Sequence, residues 1–285
     1  MLIVSENLSD LKVEVLSWKE KNGIVGFVPT MGNLHEGHLS LIRKIQEFGA
    51  TKTIVSIYVN PKQFGPEEDY AEYPRTLDED IKQLKKLNVD CVFCPSDKEI
   101  YPPNLENQIM INNRGLMNEL CGKYRPGHFN GVLLVVNKLL NIIQPDMAIF
   151  GQKDYQQYVL IKNMVHQLFM PIEILMAPII REDSGLAMSS RNSNLDRDQR
   201  ARAVHLYNSL KSTSKKIQKN IMNYRSILST EIERLNKIGL NVDYLELRES
   251  NNLSRVEEQK DMNGPYILLG AIKLGKTRLI DNIIL

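Results

Sequence analysis

The chain has 285 residues, of which 25% are charged and 42% belong to the hydrophobic set, as in an ordinary globular protein. Its formal net charge of +2 is too small to indicate a nucleic acid or an anionic membrane as a partner. No amino-terminal signal segment and no apolar run of membrane-spanning length is visible, and we therefore expect a cytoplasmic protein.

Strand and helix patterns alternate over residues 1–180. Near-continuous apolar runs, typical of strands covered on both faces, predict strands at residues 24–28, 53–59, 89–93, 147–150 and 172–176. Helices are predicted between them, at residues 131–143 and 155–169 and after a capping box that opens at Thr76. This order predicts an α/β fold with a Rossmann-like, doubly wound parallel sheet, which binds ligands at the carboxyl ends of its strands.

The pattern changes after about residue 181. Residues 197–216 predict one helix, and a second runs from Tyr224 to Leu235 with Gly239 at its end. Strands are predicted at residues 242–247, 266–273 and 277–280, the last two joined as a hairpin through Gly275. We therefore predict two domains, residues 1–180 and a smaller α+β domain at residues 181–285.

The three cysteines give no basis for a disulfide framework. Cys91 and Cys94 have CxxC spacing, but they lie in a predicted strand, where residues three apart point to opposite faces. The two sulfurs are therefore not expected to converge on a metal, and Cys91 is predicted to be a buried apolar residue.

The most informative segment is residues 29–38, PTMGNLHEGH, which follows the first predicted strand and precedes a helical pattern that begins at Leu39. A strand that turns through glycine into a helix start offers unpaired backbone N–H groups and the positive end of the helix dipole to an anion. Because His35 and His38 lie at that end, the segment predicts a site for the phosphates of a nucleotide.

Two other interpretations of these histidines stay open. A histidine at a helix start is often only a cap or surface residue, and two histidines at i, i+3 could hold a metal. Their spacing differs from the i, i+4 pattern of zinc proteases, and a third ligand would have to come in space from His128, His166 or His205.

Three further polar clusters follow predicted strands. They are residues 60–65 (NPKQFG), residues 151–154 (GQKD), and Arg181 with residues 188–191 (MSSR). Because the carboxyl ends of parallel strands meet at one edge of a sheet, we expect all of these clusters at the same edge.

Several runs, in a fixed order and spacing, carry a resemblance to a known family. They are residues 29–38, 59–61 with 63–64, 73–75 (YPR), 128–129 (HF), 150–157 (FGQKDYQQ), 188–192 (MSSRN) and 275–282 (GKTRLIDN). Any one of them is weak, but together they make a specific match. On these residues the chain resembles the pantothenate synthetase (pantoate–β-alanine ligase) family along nearly its whole length.

The resemblance implies an ATP-dependent ligase that forms a carbon–nitrogen bond. (R)-pantoate would attack the α-phosphate of ATP to give pantoyl adenylate and pyrophosphate, and β-alanine would then displace AMP to form pantothenate. The resemblance further implies Mg²⁺ accompanying ATP, no tightly bound cofactor and no resident metal. It implies small-molecule substrates rather than nucleic acid or membrane, and a homodimer.

The resemblance also implies roles for individual residues. Gln63 would hold pantoate and approach the β-alanine site, and Gln157 would bind pantoate from the other side. The catalytic residues would be His38, His35, Lys153 and Arg191. The ATP-binding residues would be Met31, Gly32, Asn33, Leu34, His35, Glu36, Gly37, His38, Gly151, Gln152, Lys153, Asp154, Ile180, Met188, Ser189, Ser190 and Arg191. Residues 181–285 are expected to close as a lid, with a hinge at residues 181–185.

Three alternatives use the same residues. The His-x-Gly-His loop and the late MSSR run also resemble signatures of class I aminoacyl-tRNA synthetases and of small nucleotidyltransferases such as cytidylyltransferases. A tRNA synthetase should add an anticodon-binding domain and a basic face, and neither is visible in the sequence. A cytidylyltransferase would transfer the nucleotide to a phosphate, and a non-enzymatic binding module would consume no ATP.

Overall fold

The structure is a computed structural model that describes residues 2–66, 68–103, 109–113, 115–257 and 264–285. The described chain divides into two compact units. The first unit comprises Met1–Gly151 and Leu160–Pro178, and the second comprises Gln152–Val159 and Ile179–Leu285. The short segment Gln152–Val159 thus groups with the carboxy-terminal part of the chain.

The first unit contains a six-stranded parallel sheet with the order β1-β4-β3-β2-β5-β6. Its strands are β1 (Ile3–Ser5), β2 (Val25–Thr30), β3 (Lys52–Ile57), β4 (Cys91–Phe93), β5 (Met147–Gly151) and β6 (Glu173–Ala177). Phe27 of β2 pairs with Ile54 of β3 on one side and with Ala148 of β5 on the other. The predicted parallel α/β sheet is confirmed.

Strands β2 and β5 lie side by side at the switch point of the sheet. The chain moves from β2 to β3 and β4 on one side, and from β5 to β6 on the other. Doubly wound sheets bind ligands at such a point, outside the carboxyl ends of the strands. The segments that leave this edge directly are the one after Thr30 and the one after Gly151, which carry two of the predicted polar clusters.

The interior of the sheet is built from the apolar runs that predict its strands. Phe27, Ile54, Phe93 and Ile149 have no exposed surface, because both faces of the sheet are covered. Cys91 is also fully buried, as predicted, and burial raises the pKa of its thiol to about 12.

Helices lie between these strands along the chain. They are α1 (Leu8–Glu20), α2 (Glu36–Glu47), α3 (Leu77–Lys86), α4 (Asp97–Ile100), α5 (Cys121–Tyr124) and α6 (His128–Ile143). Helix α7 (Tyr155–Gln167) begins in the second unit and ends in the first. Neither β1 nor α1 is predicted above, and a strand of three residues is too short to show a period.

The start of α3 corrects one expectation. Thr76 is the N-cap residue, but its side chain makes no hydrogen bond to the backbone of the first turn, so the predicted capping box does not form. The Thr76 hydroxyl instead donates to Oδ2 of Asp80 at 3.2 Å. Asp80 is buried, and a carboxylate at this depth needs such partners.

The second unit contains two helices and a separate antiparallel sheet. The helices are α8 (Arg197–Lys219) and α9 (Tyr224–Lys237), and the strands, in the order β7-β8-β9, are β7 (Asn241–Glu249), β8 (Tyr266–Leu274) and β9 (Thr277–Ile284). Leu210, Leu268 and Ile272 are fully buried in its core. Leu274 pairs with Thr277, which confirms the predicted hairpin, and Gly275 has the positive φ (58°) that so short a connection requires.

Candidate active site

The loop after β2 turns sharply before it enters α2. Gly32 and Asn33 both have left-handed backbone conformations, with φ of 78° and 49°. Glycine adopts such a φ without strain, and asparagine tolerates it better than most residues. The Leu34 side chain then packs into the core, so this predicted ATP-binding residue presents only its backbone to the edge of the sheet.

The backbone N–H groups of this loop are already bonded within the protein. Gly32 donates to Oγ1 of Thr30 at 3.2 Å, and Asn33 and Leu34 donate to the two carboxylate oxygens of Asp80 at 2.9 and 2.8 Å. The expectation that unpaired N–H groups of this loop would hold an anion is therefore wrong for these three residues.

His35 and His38 each accept a hydrogen bond from a backbone N–H group at the start of α2. His35 is the N-cap residue, and its Nδ1 accepts from the backbone N–H of Gly37 at 3.1 Å. The Nδ1 of His38 accepts in turn from the backbone N–H of His35 at 3.3 Å. The two rings stack, with centroids 4.0 Å apart. His35 thus caps helix α2.

This geometry decides where each ring carries its proton. A ring nitrogen that accepts a hydrogen bond has no proton of its own, so in the neutral rings of His35 and His38 the proton is on Nε2. Each imidazole therefore has an Nε2–H donor. The first unit thus fixes two donor side chains side by side at the carboxyl end of β2.

Gln63 lies at the end of a 3₁₀ turn (Pro61–Gln63) that follows β3. Its Oε1 accepts from Nδ2 of Asn60 at 3.1 Å, and its Nε2 lies 3.0 Å from the sulfur of Met31. Asn60 is 1% exposed and also accepts from the hydroxyl of Tyr101 at 2.8 Å. The structure thus brings Gln63 and Met31 together and fixes which end of the Gln63 amide faces which neighbour.

A chain of side chains holds the Gln63 backbone. Arg125 donates to both carboxylate oxygens of Glu68, at 2.7 and 2.6 Å, and to Nε2 of His128 at 2.8 Å. Because that nitrogen accepts, His128 carries its proton on Nδ1, which donates to the carbonyl of Gln63 at 2.8 Å. Helix α6 comes so close that a Cβ at Gly131 would lie 2.1 Å from the carbonyl oxygen of Lys62, which only glycine allows.

In the second unit, Lys153 and its neighbours form a 3₁₀ turn (Gln152–Asp154) directly after β5. The amide of Asn282 donates to the carbonyls of Gln152 and Lys153 at 2.9 and 3.1 Å, and accepts from Nε2 of Gln152 at 3.0 Å. The Lys153 ammonium lies 3.3 Å from a carboxylate oxygen of Asp154. The predicted cation is thus carried on a turn that β9 holds in place.

The structure also brings Ile180 and Met188 together in the second unit. The Met188 N–H donates to the carbonyl of Ile180 at 2.9 Å, and Arg181 and Ala187 form an antiparallel bridge. The intervening residues 181–185, expected to be a hinge, make a turn in which Arg181 donates to both carboxylate oxygens of Asp281, at 2.6 and 2.9 Å.

The MSSR run continues into a 3₁₀ turn (Ser190–Asn194). The hydroxyl oxygen of Ser189 accepts from the N–H of Arg191 at 3.3 Å. Asn192, which is 4% exposed, donates to Glu182 at 2.9 Å and to the carbonyl of Ala187 at 3.1 Å, and so ties the run to the preceding turn. Gln157 also belongs to the second unit, half-buried on the first turns of α7, whereas Gln63 belongs to the first.

Within residues 2–66, 68–103, 109–113, 115–257 and 264–285, no group of three or more His, Cys, Asp or Glu side chains is placed to hold a metal ion. No helix among these residues combines the length and apolar character needed to cross a membrane.

A family model described as Pantoate-beta-alanine ligase matches residues 3–284. The chain belongs to the pantoate-beta-alanine ligase family. It is 42% identical to a pantothenate synthetase of Hydrogenovibrio crunogenus, with 99% of each chain covered. The resemblance inferred from the sequence motifs is confirmed, and this member of the family is a ligase that joins pantoate to β-alanine.

Solved structures agree with this assignment. A crystal structure of pantothenate synthetase from Thermus thermophilus superposes with a TM-score of 0.89 at 34% identity, covering 99% of this chain and 98% of that one. A pantoate-beta-alanine ligase from Francisella tularensis, complexed with beta-gamma ATP and beta-alanine, has a TM-score of 0.78 at 37% identity, covering 100% and 98%. The predicted fold class is therefore confirmed as that of the ligase family.

Sequence reasoning missed the residues that hold the site residues of the ligase in place. Asp80, Asn60, Asn192 and Asn282 are nearly fully buried and bond to segments that carry predicted site residues. Asn60, Asn192 and Asn282 lie in runs that carry the family resemblance, which gives them no role of their own. Asp80 has a different signal, because it shares the helical face of Leu84 and Leu87. A carboxylate on an apolar stripe is unusual and needs a reason.

Proposed function

We propose that the ligase works in two steps through a pantoyl-adenylate intermediate, with ATP as its second substrate. A carboxylate oxygen of pantoate attacks the α-phosphorus of ATP, and the bond from phosphorus to the bridging oxygen of pyrophosphate breaks. The amine of β-alanine then attacks the acyl carbon, loses a proton and displaces AMP. Similarity to the Francisella tularensis ligase, which is complexed with beta-gamma ATP and beta-alanine, supports both co-substrates.

The observation that carries this proposal is that Nδ1 of both His35 and His38 accepts a hydrogen bond from a backbone N–H group. It fixes two Nε2–H donors at the carboxyl end of β2, beside the switch point where doubly wound sheets bind ligands. Negative charge grows on the bridging oxygen and the pyrophosphate as the first step proceeds. Donors already fixed at that position stabilise this charge without the cost of reorganisation.

In the first unit, His38 and His35 donate to the phosphates of ATP, and the loop Met31–His38 forms one wall of the nucleotide site. Gln63 holds pantoate. An amide offers both a donor and acceptors, so it can bond the hydroxyl and the carboxylate of pantoate without adding charge. The fixed orientation of Gln63 between Asn60 and Met31 supports this role.

In the second unit, Lys153 and Arg191 supply positive charge to the phosphates, and Gln157 binds pantoate. The remaining proposed ATP contacts are Gly151 at the end of β5 and, in the second unit, Gln152, Asp154, Ile180, Met188, Ser189 and Ser190. The backbone pairing of Ile180 with Met188 supports a shared role for these two residues. Mg²⁺ accompanies ATP, because a divalent cation neutralises the negative charge of the triphosphate that Lys153 and Arg191 do not balance.

Product analysis tests the proposed function. The purified protein is incubated with ATP, Mg²⁺, pantoate and β-alanine, and the products are identified by mass spectrometry. We expect pantothenate, AMP and pyrophosphate in equal amounts, and pyrophosphate with enzyme-bound pantoyl adenylate when β-alanine is left out. Formation of ADP and phosphate would contradict the adenylate route, and nucleotide transfer to a phosphate acceptor would favour a nucleotidyltransferase.

The homodimer, the cytoplasmic location and the lid role of residues 181–285 stay predictions. The homodimer rests on the resemblance to the family alone. Sedimentation equilibrium of the purified protein tests it, with a mass of twice 32.7 kDa as the expected result.

A further inference from the structure

The first turn of α3 contains a carboxylate that faces inward instead of toward solvent. Asp80 is 1% exposed, whereas Asp78 and Glu79, beside it in the same turn, are exposed. A buried charge is expensive unless hydrogen bonds compensate for it. The position of Asp80 therefore has to be explained by what its oxygens contact.

Both oxygens of Asp80 contact the histidine loop. Oδ2 accepts from the N–H of Asn33 at 2.9 Å, and Oδ1 accepts from the N–H of Leu34 at 2.8 Å. Oδ2 also accepts from the hydroxyl of Thr76 at 3.2 Å. Two adjacent backbone groups thus hold one carboxylate in a forked arrangement, and hydrogen bonds to an ionised group are about twice as strong as neutral ones.

These bonds act where the loop is least able to hold its own shape. Gly32 and Asn33 have consecutive positive φ angles, and a non-glycine residue in that region costs on the order of 1–3 kcal/mol unless its surroundings hold it. A Cβ at Gly32 would lie 3.1 Å from Oδ2 of Asp80, so the carboxylate packs directly against the turn. This turn sets the position of His35, the N-cap residue of α2.

We propose that Asp80 is a positioning residue for adenylation, which acts by fixing the loop that places the Nε2–H donors of His35 and His38. This inference rests on the proposed function of the histidine pair. The hydrogen bonds from Asn33 and Leu34 connect Asp80 to the backbone that leads into His35, and through this backbone Asp80 acts. Misplacing a reacting or stabilising group by about 1 Å can cost about 10²-fold in rate.

The variant that tests this role is Asp80→Asn, with Asp78→Asn as its matched control. Both changes remove one charge from the first turn of α3, but only Asp80→Asn replaces a bonded oxygen with an NH₂ group, which cannot accept from a backbone N–H. Pyrophosphate release with saturating ATP and pantoate measures adenylation. We expect Asp80→Asn to lower kcat by about 10- to 100-fold, with the KM for pantoate changed less than about twofold. Asp78→Asn should match the wild type.

A second measurement does not depend on activity. Hydrogen exchange of the backbone amides in residues 31–38, followed by mass spectrometry, should be faster in Asp80→Asn than in the wild type and in Asp78→Asn. Exchange in peptides from β3 and β5 should stay unchanged. The variant Thr76→Val removes one hydrogen bond to Asp80 and keeps the charge of Asp80, and it should show a smaller change in the same direction. The role of Asp80 can therefore be tested even where Asp80→Asn folds poorly.

Two results would overturn the role of Asp80. One is equal adenylation and equal loop exchange in Asp80→Asn and Asp78→Asn. The other is a loss of kcat fully accounted for by a lower number of active sites, titrated as enzyme-bound adenylate, because that is the result of simple destabilisation. Failure of the wild type to form pantothenate would instead reject the proposed function, and the exchange comparison would still decide whether Asp80 holds the loop.

Discussion

The side-chain amide of Asn282 makes three hydrogen bonds to the turn that carries Lys153. Nδ2 of Asn282 donates to the carbonyl of Lys153 at 3.1 Å and to that of Gln152 at 2.9 Å, while its Oδ1 accepts from the Gln152 side chain at 3.0 Å. Asn282 is 2% exposed, so no water competes freely for these bonds. The direction in which the Lys153 side chain leaves the turn therefore depends on a residue 129 positions away in the sequence.

The variant Asn282→Asp tests this dependence. A carboxylate cannot donate, and the oxygen that replaces Nδ2 would face the carbonyl oxygens of Gln152 and Lys153 at hydrogen-bonding distance, which is repulsive. We expect the KM for ATP to rise by about tenfold or more, with the KM for pantoate changed much less. Initial-rate kinetics with each substrate varied in turn measure the split. Asn251→Asp, an exposed asparagine in the same unit, is the control, and an equal effect of both variants would contradict the assignment.

His38→Ala should slow adenylation without unfolding the protein. Loss of one fixed donor to developing charge typically costs about 10²–10³ in rate. The change also removes the acceptor for the N–H of His35, so we expect the free energy of unfolding to fall by about 1 kcal/mol.

The variant His38→Gln separates these two effects. Glutamine at the third position of a helix can return the bond to the cap residue, so His38→Gln should recover stability in urea unfolding. Its pyrophosphate release should recover much less. A folded His38→Ala variant with near-wild-type pyrophosphate release would reject the proposed role of His38.

Gln157→Ala should weaken pantoate binding and leave nucleotide binding nearly unchanged. Loss of an amide that bonds substrate hydroxyl and carboxylate groups raises the KM for pantoate, for which we expect a change of about tenfold. Gln167→Ala, at the exposed far end of the same helix, is the matched control and should behave as the wild type. Parallel losses of affinity for ATP and pantoate in Gln157→Ala would contradict the division of roles.

The pair of Glu68 and Arg125 should make stability depend on pH. Burial alone raises the pKa of the Glu68 carboxyl, but the hydrogen bonds and charge of Arg125 outweigh burial and hold that pKa below its ordinary value. A carboxyl whose pKa is lower in the folded state stabilises the protein above its unfolded pKa of about 4.3. That stabilisation is lost as the pH falls through the lower folded value.

Urea unfolding of the wild type and Glu68→Gln measures this effect. We expect the variant to be less stable by about 1–2 kcal/mol at pH 7. The difference should be constant from pH 7 to about pH 5 and shrink below pH 4. A difference that grows on acidification would show that the pKa of Glu68 is raised, not lowered.

Sequence periodicity was sufficient for the parts of the fold that repeat locally. The buried run that became β2 and the helical pattern that became α2 each show their period within about ten residues, and the glycine turn between them is visible in the same window. The three residues of β1 are held by pairing with β4, 88 residues later, so their local sequence carries no comparable signal.

The site was likewise predictable only where the signal is local in the sequence. Residues that carry distinctive chemistry, such as His38 and Lys153, stand out in the sequence. The contacts of Asp80 and Asn282 join positions 46 to 130 residues apart, and no local pattern reveals which backbone groups they bond. The tautomers of His35 and His38 likewise follow only from the placement of backbone N–H groups around each ring.

Helix α7 is divided between the two units, and this limits how the protein can be cut into separate domains. The chain leaves the first unit after Gly151, returns to it after Val159 and leaves again after Pro178. Within the second unit, the hydroxyl of Tyr155 donates to the carbonyl of Ser250 at 3.0 Å. A single proteolytic cut or gene truncation therefore cannot release either unit whole. A cut near residue 180 separates the eight residues 152–159 from Ser250 and Asn282, which belong to the same unit. Recombination between distant family members should succeed only when the 152–159 segment and the carboxy-terminal region are inherited from the same parent.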